Sequence, residues 1–162
     1  MGLDQLQDTL LGRLYDEWFK PQRHSLIAED IAVELGSTRE LGSRAAEELV
    51  DEELAISPVM DRDANHMTIT AEGILEAERK GLGSASTRER QQTLRKRVVQ
   101  AFVREREEHG PNHPIDGAAV RRELNYSEEE FLANVDVLVA QGLIERYGGS
   151  NFMFTVPRLA RR

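Results

Sequence analysis

The chain has 162 residues, 40% of them hydrophobic and 31% charged, which is enough apolar material for one domain or two small ones. It contains no cysteine, which excludes disulfides and thiolate metal sites, and its net charge of −8 argues against indiscriminate nucleic-acid binding, because phosphate rewards positive charge. No apolar run approaches the roughly 18 residues of a membrane span, and the acidic start MGLDQLQDTL lacks the basic residues of a signal peptide, so a cytoplasmic protein with no membrane segment is expected.

Leu3, Leu6, Leu10 and Leu14 recur at three- and four-residue steps, with Leu11, Tyr15 and Trp18 widening the stripe. That spacing predicts an amphipathic helix broken at Pro21. SLIAEDIAVELG predicts a second helix, opened by a serine cap and stopped by Gly36. STRELGSRAAEELVDEEL predicts a third, capped by Ser37 or Thr38, with Glu40 in capping-box position. Gly42 inside it costs about 1 kcal/mol relative to alanine. Two short β-rich runs follow, AISPVM and HMTIT, split by the turn-prone DRDAN, and Thr70 then caps a fourth helix, AEGILEAERKGL. GLGSAST, at 81–87, is small and polar and reads as a linker.

The second half repeats this order. A long helix is expected over about 90–108, stopped by HGPNHP, and a short one over about 117–124. SEEEFLANVDVLVAQG predicts a third, with Ser127 as cap, Glu130 in capping-box position and Gly142 as stop. LIERY and NFMFTV around GGS predict a β-hairpin with a glycine turn. At an offset of 89 residues the apolar positions of the two halves coincide without a gap. Leu10 falls on Val99, Leu14 on Val103, Leu26 on Ile115, Ile31 on Val120 and Leu35 on Leu124; Ala46 falls on Val135, Leu49 on Leu138, Val50 on Val139 and Leu54 on Leu143. The expected organisation is a first unit over 1–82, a linker over 83–89 and a second unit over 90–162. Charge divides unevenly between the halves: residues 1–82 hold eight Lys/Arg against eighteen Asp/Glu, and residues 83–162 hold thirteen against eleven.

A helix, a helix-turn-helix and a two-stranded hairpin, in that order, resemble the winged helix-turn-helix superfamily. LVDEELAI and LVAQGLIE resemble its helix-to-wing junction, and ITAEGILEAE resembles the second wing strand running into a following helix. The resemblance covers most of 8–82 and 92–157. It implies a mainly α fold with small β-hairpin wings (α+β), here as a tandem winged helix-turn-helix. The commonest task of that superfamily is DNA binding, with the third helix in the major groove and the wing on backbone or minor groove. Many winged helices bind protein instead, as do the paired ones of condensin and ESCRT subunits, so the fold does not settle the function.

A groove reader needs donors at the entry end of its third helix. Thr38, Arg39, Ser43 and Arg44 meet that need if Leu41, Ala45 and Leu49 face the core; otherwise the two arginines are ordinary solvated residues on a helix that goes on to carry Glu47, Glu48, Asp51, Glu52 and Glu53. The first wing adds Arg62, Asn65 and His66, although an arginine between Asp61 and Asp63 is a poor phosphate ligand. In the second half SEEEF would repel phosphate at the usual insertion point, while its glutamates suit the helix dipole. Basic residues lie elsewhere there: Arg88, Arg90, Arg95, Lys96 and Arg97 on the leading helix, Arg121 and Arg122 on the next, and Arg158, Arg161 and Arg162 in the tail. Such a flank would track a DNA backbone, meet an acidic partner, or face solvent.

No catalytic constellation stands out. His24, His66, His109 and His113 have no cysteine companions, and His109 and His113 fall in HGPNHP, which reads as a loop, so no metal and no cofactor is expected. GLGSAS lacks the spacing and the lysine of a phosphate loop, and no Gly-x-Ser-x-Gly elbow occurs. The expectation is a non-enzymatic DNA-binding regulator whose partner is double-stranded DNA, with a protein-binding adaptor as the alternative. The helices at 3–19 (Leu3 to Phe19) and 71–82 (Ala71 to Leu82) are more apolar than a three-helix unit must bury, which suits a homodimer or packing between the two copies.

Overall fold

The structure, a computed structural model, describes residues 1–61 and 64–157. The chain is mainly helical with two small antiparallel three-stranded sheets, and it divides into two compact units, Met1–Arg88 and Glu89–Arg162. The first contains α1 (Leu3–Trp18), β1 (Leu26–Ile27), α2 (Ala28–Glu34), α3 (Arg39–Asp51), β2 (Ala55–Asp61), β3 (Ala64–Ile69) and α4 (Ala71–Lys80). The chain continues through α5 (Ala85–His109), β4 (Ile115–Asp116), α6 (Gly117–Leu124), α7 (Glu128–Ala140), β5 (Glu145–Arg146) and β6 (Met153–Thr155).

The element order repeats, and so do the bounds: β4 and α7 follow β1 and α3 by 89 residues. The backbone repeats too. Gly36 and Asn125, and likewise Glu53 and Gly142, occupy left-handed conformations at matching positions after the second and third helices. Leu35 and Leu124 are both partly buried, as are Leu54 and Leu143. The first helices and the last strands break the register: Met67 and Phe154, which pair with the equivalent Leu26 and Ile115, lie 87 residues apart. On α5 the fully buried residues are Leu94, Val98 and Phe102, one position ahead of the Val99 and Val103 expected from the gapless alignment, so this helix matches Leu6, Leu10 and Leu14 at 88 residues.

The second helix of the first unit starts later than its apolar spacing suggests, whereas α6 lies over the 117–124 expected for it, and in both units a two-residue strand precedes the helix. Leu26 and Ile27 pair with Met67 and His66, and Ile115 and Asp116 pair with Phe154 and Met153, giving the sheet orders β1-β3-β2 and β4-β6-β5. Ser25 is therefore not a cap; Ile27 holds that position for α2, and Asp116 caps α6 by accepting from the Ala118 amide at 2.9 Å. Thr38 caps α3 by accepting from Leu41, which leaves Glu40 one residue short of the capping-box position. Ser127 caps α7 by accepting from the Glu130 amide at 3.1 Å. The ladder between β2 and β3 shifts between Ile56 and Val59, where Pro58 has no N–H to give.

The segment 83–89, expected as the linker, is hydrogen-bonded to the first unit. Gly81 ends α4 in a left-handed cap, the Asp16 carboxylate accepts from the Ser84 amide at 2.8 and 3.0 Å, and Arg88 donates to the Leu82 and Gly83 carbonyls at 2.7 and 2.6 Å. Helix α5 already begins at Ala85.

The first core gathers Leu6, Leu10, Leu11, Leu14 and Tyr15 of α1 with Ile31, Ala46 and Leu49 of α2 and α3, Met67 and Ile69 of β3, and Ile74 of α4. Tyr15 donates to Glu78 at 2.8 Å and Lys80 to Asp8 at 2.7 Å, joining α1 to α4. Much of the apolar surface of these two helices is thus buried in the first core, while Leu3, Trp18, Phe19, Leu75 and Leu82 are only partly buried. The second core is built on Leu94, Val98, Phe102, Ile115, Val120, Phe131, Val135, Leu138, Ile144 and Phe154, with Phe102 and Phe154 edge to face at 5.6 Å.

Candidate nucleic-acid interface

Helix α3 presents its outer face because Ala45, Ala46 and Leu49 are buried and Leu41 is partly buried. Its entry end is committed to structure more than to solvent. The Thr38 hydroxyl is occupied by the Leu41 amide, and Arg39 lies 2.8 Å from Asp30 of α2, both side chains about half exposed. The Ser43 hydroxyl accepts from Asn65 at 3.0 Å. Asn65 also binds the carboxylate of Glu29, which is 5% exposed, through both its backbone and its side-chain amide. This network joins α2, α3 and β3, so Ser43 and Asn65 hold the unit together. Arg44 is exposed and has no ion pair or hydrogen bond among the described residues.

The exposed stripe of α3 runs Glu40, Arg44, Glu47 and Asp51, three carboxylates to one guanidinium. Helix α7 repeats the sign: Glu128, Glu129 and Asp136 are exposed, and Glu129 and Asp136 stand where α3 carries Glu40 and Glu47. Asp136 pairs with Arg146 of β5, and Glu130 pairs with Arg90 of α5 at 2.8 Å. Phosphate would meet carboxylates on both third helices.

His66 sits on β3 opposite Ile27, with its Nδ1 3.3 Å from the Ser25 hydroxyl. Arg62, Arg158, Arg161 and Arg162 lie outside the described residues. Arg95 does not reach the surface. It is 5% exposed and donates to Asn134 at 2.8 Å, while Asn134 donates to Gln91 at 2.7 Å and to the Glu130 carbonyl at 2.9 Å. This buried set fastens α5 to α7, and Arg95 leaves the list of contact candidates. Its neighbours differ. Lys96 is exposed; Arg97 donates to the Tyr126 hydroxyl at 3.1 Å; Arg121 donates to the Tyr126 carbonyl at 3.0 Å; and Arg122 bonds weakly to the Ala118 carbonyl at 3.3 Å. Among the described residues the exposed cations of this unit are Lys96, Arg97 and Arg122, together with Arg90 and Arg104, which pair with Glu130 and Glu123, and all of them lie on α5 and α6 rather than on α7.

Sequence reasoning passed over the exposed apolar residues. Tyr147 and Phe152, 48% and 50% exposed, flank the glycine turn between β5 and β6, while Val50 and Ile56 are exposed at the α3-to-β2 junction. Val50 was visible only as part of the third helix and the other three only as parts of the β-rich runs, and periodicity over such short runs does not say which side chains are covered. It also scattered the histidines. His24 and His66 stay apart, but the His109 and His113 rings stack at 4.7 Å beside Glu105.

No helix of the described residues is long and apolar enough to cross a membrane. Comparison with protein-family models, with curated proteins and with solved structures finds no match to this chain.

Proposed function

We propose that each unit is a winged helix-turn-helix and that the chain is a non-enzymatic adaptor that binds a protein with a basic, partly apolar surface. The fold reading rests on the repeated order helix, strand, helix, helix, strand, strand, with the short strand pairing onto the hairpin in both units. The functional reading rests on one observation: the outward stripes of both third helices are acidic at matching positions, Glu40 and Glu47 on α3 and Glu129 and Asp136 on α7. A groove reader places that face against phosphates, whereas a basic protein surface is attracted to it and is steered by it. Tyr147 and Phe152 add exposed aromatic area of the kind that anchors protein interfaces.

The test is affinity capture from cells that make the protein, comparing the wild type with E40R/E47R/D51R. These side chains are exposed, so the variant keeps its thermal melt. Capture of a basic protein that is lost in the variant supports the proposal. Capture unchanged by the reversal removes α3 as the docking face and contradicts it. Duplex DNA is the second reading, favoured by exposed Arg44, Lys96, Arg97 and Arg122.

A further inference from the structure

We propose that Glu105, His109 and His113 form a binding site for a divalent late first-row transition metal, with zinc as the ion best matched to the donor set. One ligand atom of each residue can be chosen so that all three lie within 4.8 Å of one another. Glu105 and His109 stand four residues apart on the last turns of α5, with His109 Nδ1 3.5 Å from the Glu105 carboxylate. Gly110 then takes a left-handed conformation, φ 100°, and reverses the chain. The His113 amide donates to the Gly110 carbonyl at 3.3 Å, which closes the turn and brings the second imidazole over the first at 23° between planes.

Three features point to a cation rather than to ordinary surface contacts. Two imidazoles and a carboxylate are the donors that zinc takes in three-ligand sites, with water in the fourth position. Magnesium and calcium prefer oxygen, so this set selects against them. The site lies at the C-terminal end of a 25-residue helix, where the dipole favours positive charge. Zinc–nitrogen bonds of about 2.0–2.1 Å hold tetrahedral ligands roughly 3.3 Å apart. The three donors must therefore close by about 1.5 Å at most, a side-chain rotation for His109 and His113, both of which are exposed. A bound ion would pin the 110–114 turn to the end of α5. That turn leads directly into β4, whose Ile115 is buried in the second core, so the metal would stiffen the root of the second sheet.

The experiment is zinc titration of the untagged, chelator-treated full chain by calorimetry, with magnesium as a control. One zinc per chain with a micromolar dissociation constant is expected, and no heat from magnesium. H109A/H113A should abolish the binding, and E105Q should weaken it at least about tenfold, a loss seen even when a metal ligand loses only its supporting partner. H24A/H66A should bind like the wild type. All these variants change side chains outside either core, and their metal-free melts report whether folding is intact. No binding at roughly 100 µM zinc, or binding that survives H109A/H113A, overturns the proposal; binding lost in H24A/H66A overturns it as well, because the site would then lie elsewhere.

Discussion

At the residue scale, Gly42 and Glu53 test whether local propensity or local geometry governs. Helix propensity alone says that Gly42→Ala gains about 1 kcal/mol. The structure says otherwise, because a β-carbon there would stand 2.8 Å from the Ala32 β-carbon and 2.9 Å from both the Ala28 carbonyl and the Glu29 α-carbon. Two of those three neighbours are backbone, so helix α2 must move away. Gly42→Ala is expected to destabilise by about 1–3 kcal/mol, the range of overpacking, as measured by chemical denaturation. Glu53 presents the opposite case. It sits at φ 59°, where the second unit has Gly142 at φ 68°. Non-glycine residues in the left-handed region cost about 1–2 kcal/mol, partly offset by the entropy of a more flexible unfolded chain. Glu53→Gly should therefore raise stability by about 0.5–1 kcal/mol. Glu17 gives a pH dependence. Burial raises its carboxyl, but hydrogen bonds from Lys20 and from the His24 amide, with the charges of both residues, bring the net value below the usual 4.5. A depressed carboxyl contributes stability above its unfolded value and loses it as pH falls through the folded one. Wild type should thus exceed Glu17→Gln in stability at neutral pH and converge on it as pH falls below the usual carboxyl value of 4.5.

At the scale of elements, α5 shows how a surface reading becomes a structural one. Arg95 and Asn134 are buried and bonded, so Arg95→Ala leaves the Asn134 carbonyl without this donor inside the second unit. Thermal or chemical unfolding should show a loss of about 2–4 kcal/mol, between a lost buried hydrogen bond and a broken buried charge contact. A loss under half a kcal/mol would mean that the network is wet. The helices themselves were legible in the sequence. Leu41, Ala45 and Leu49 on α3, like Phe131, Val135 and Leu138 on α7, sit at helical spacing behind good caps, and their elements lie where spacing placed them. Strands β1 and β4 were not legible, because two residues carry no alternation and their pairing partners lie about 40 residues away in the chain. The burial of Arg95 was hidden for a related reason. Arg95 lies within a run of basic residues on α5, and no local pattern marks a charge whose partner is on another helix. The candidate site was legible as a list of residue types. Which of them were committed to capping, as Thr38 is, or to holding a sheet, as Ser43 is, required the fold.

At the scale of the whole molecule, what matters is where the charge lies. Under the proposed winged-helix reading, the acidic stripes of α3 and α7 occupy the faces turned to a partner, while the exposed cations Lys96, Arg97 and Arg122 stand on α5 and α6. With a net charge of −8 the chain gains little from the counterion release that drives association with DNA. The most direct test is fluorescence anisotropy of a random-sequence duplex with the purified full chain, followed from about 50 mM salt upwards, where electrostatic binding is first strong and then screened. The adaptor account predicts no saturable binding at tens of micromolar protein, and a gain of salt-sensitive binding in E40R/E47R/D51R. Submicromolar binding by the wild type that weakens steeply with salt and is lost in Arg44→Ala would contradict it and restore α3 as a groove reader.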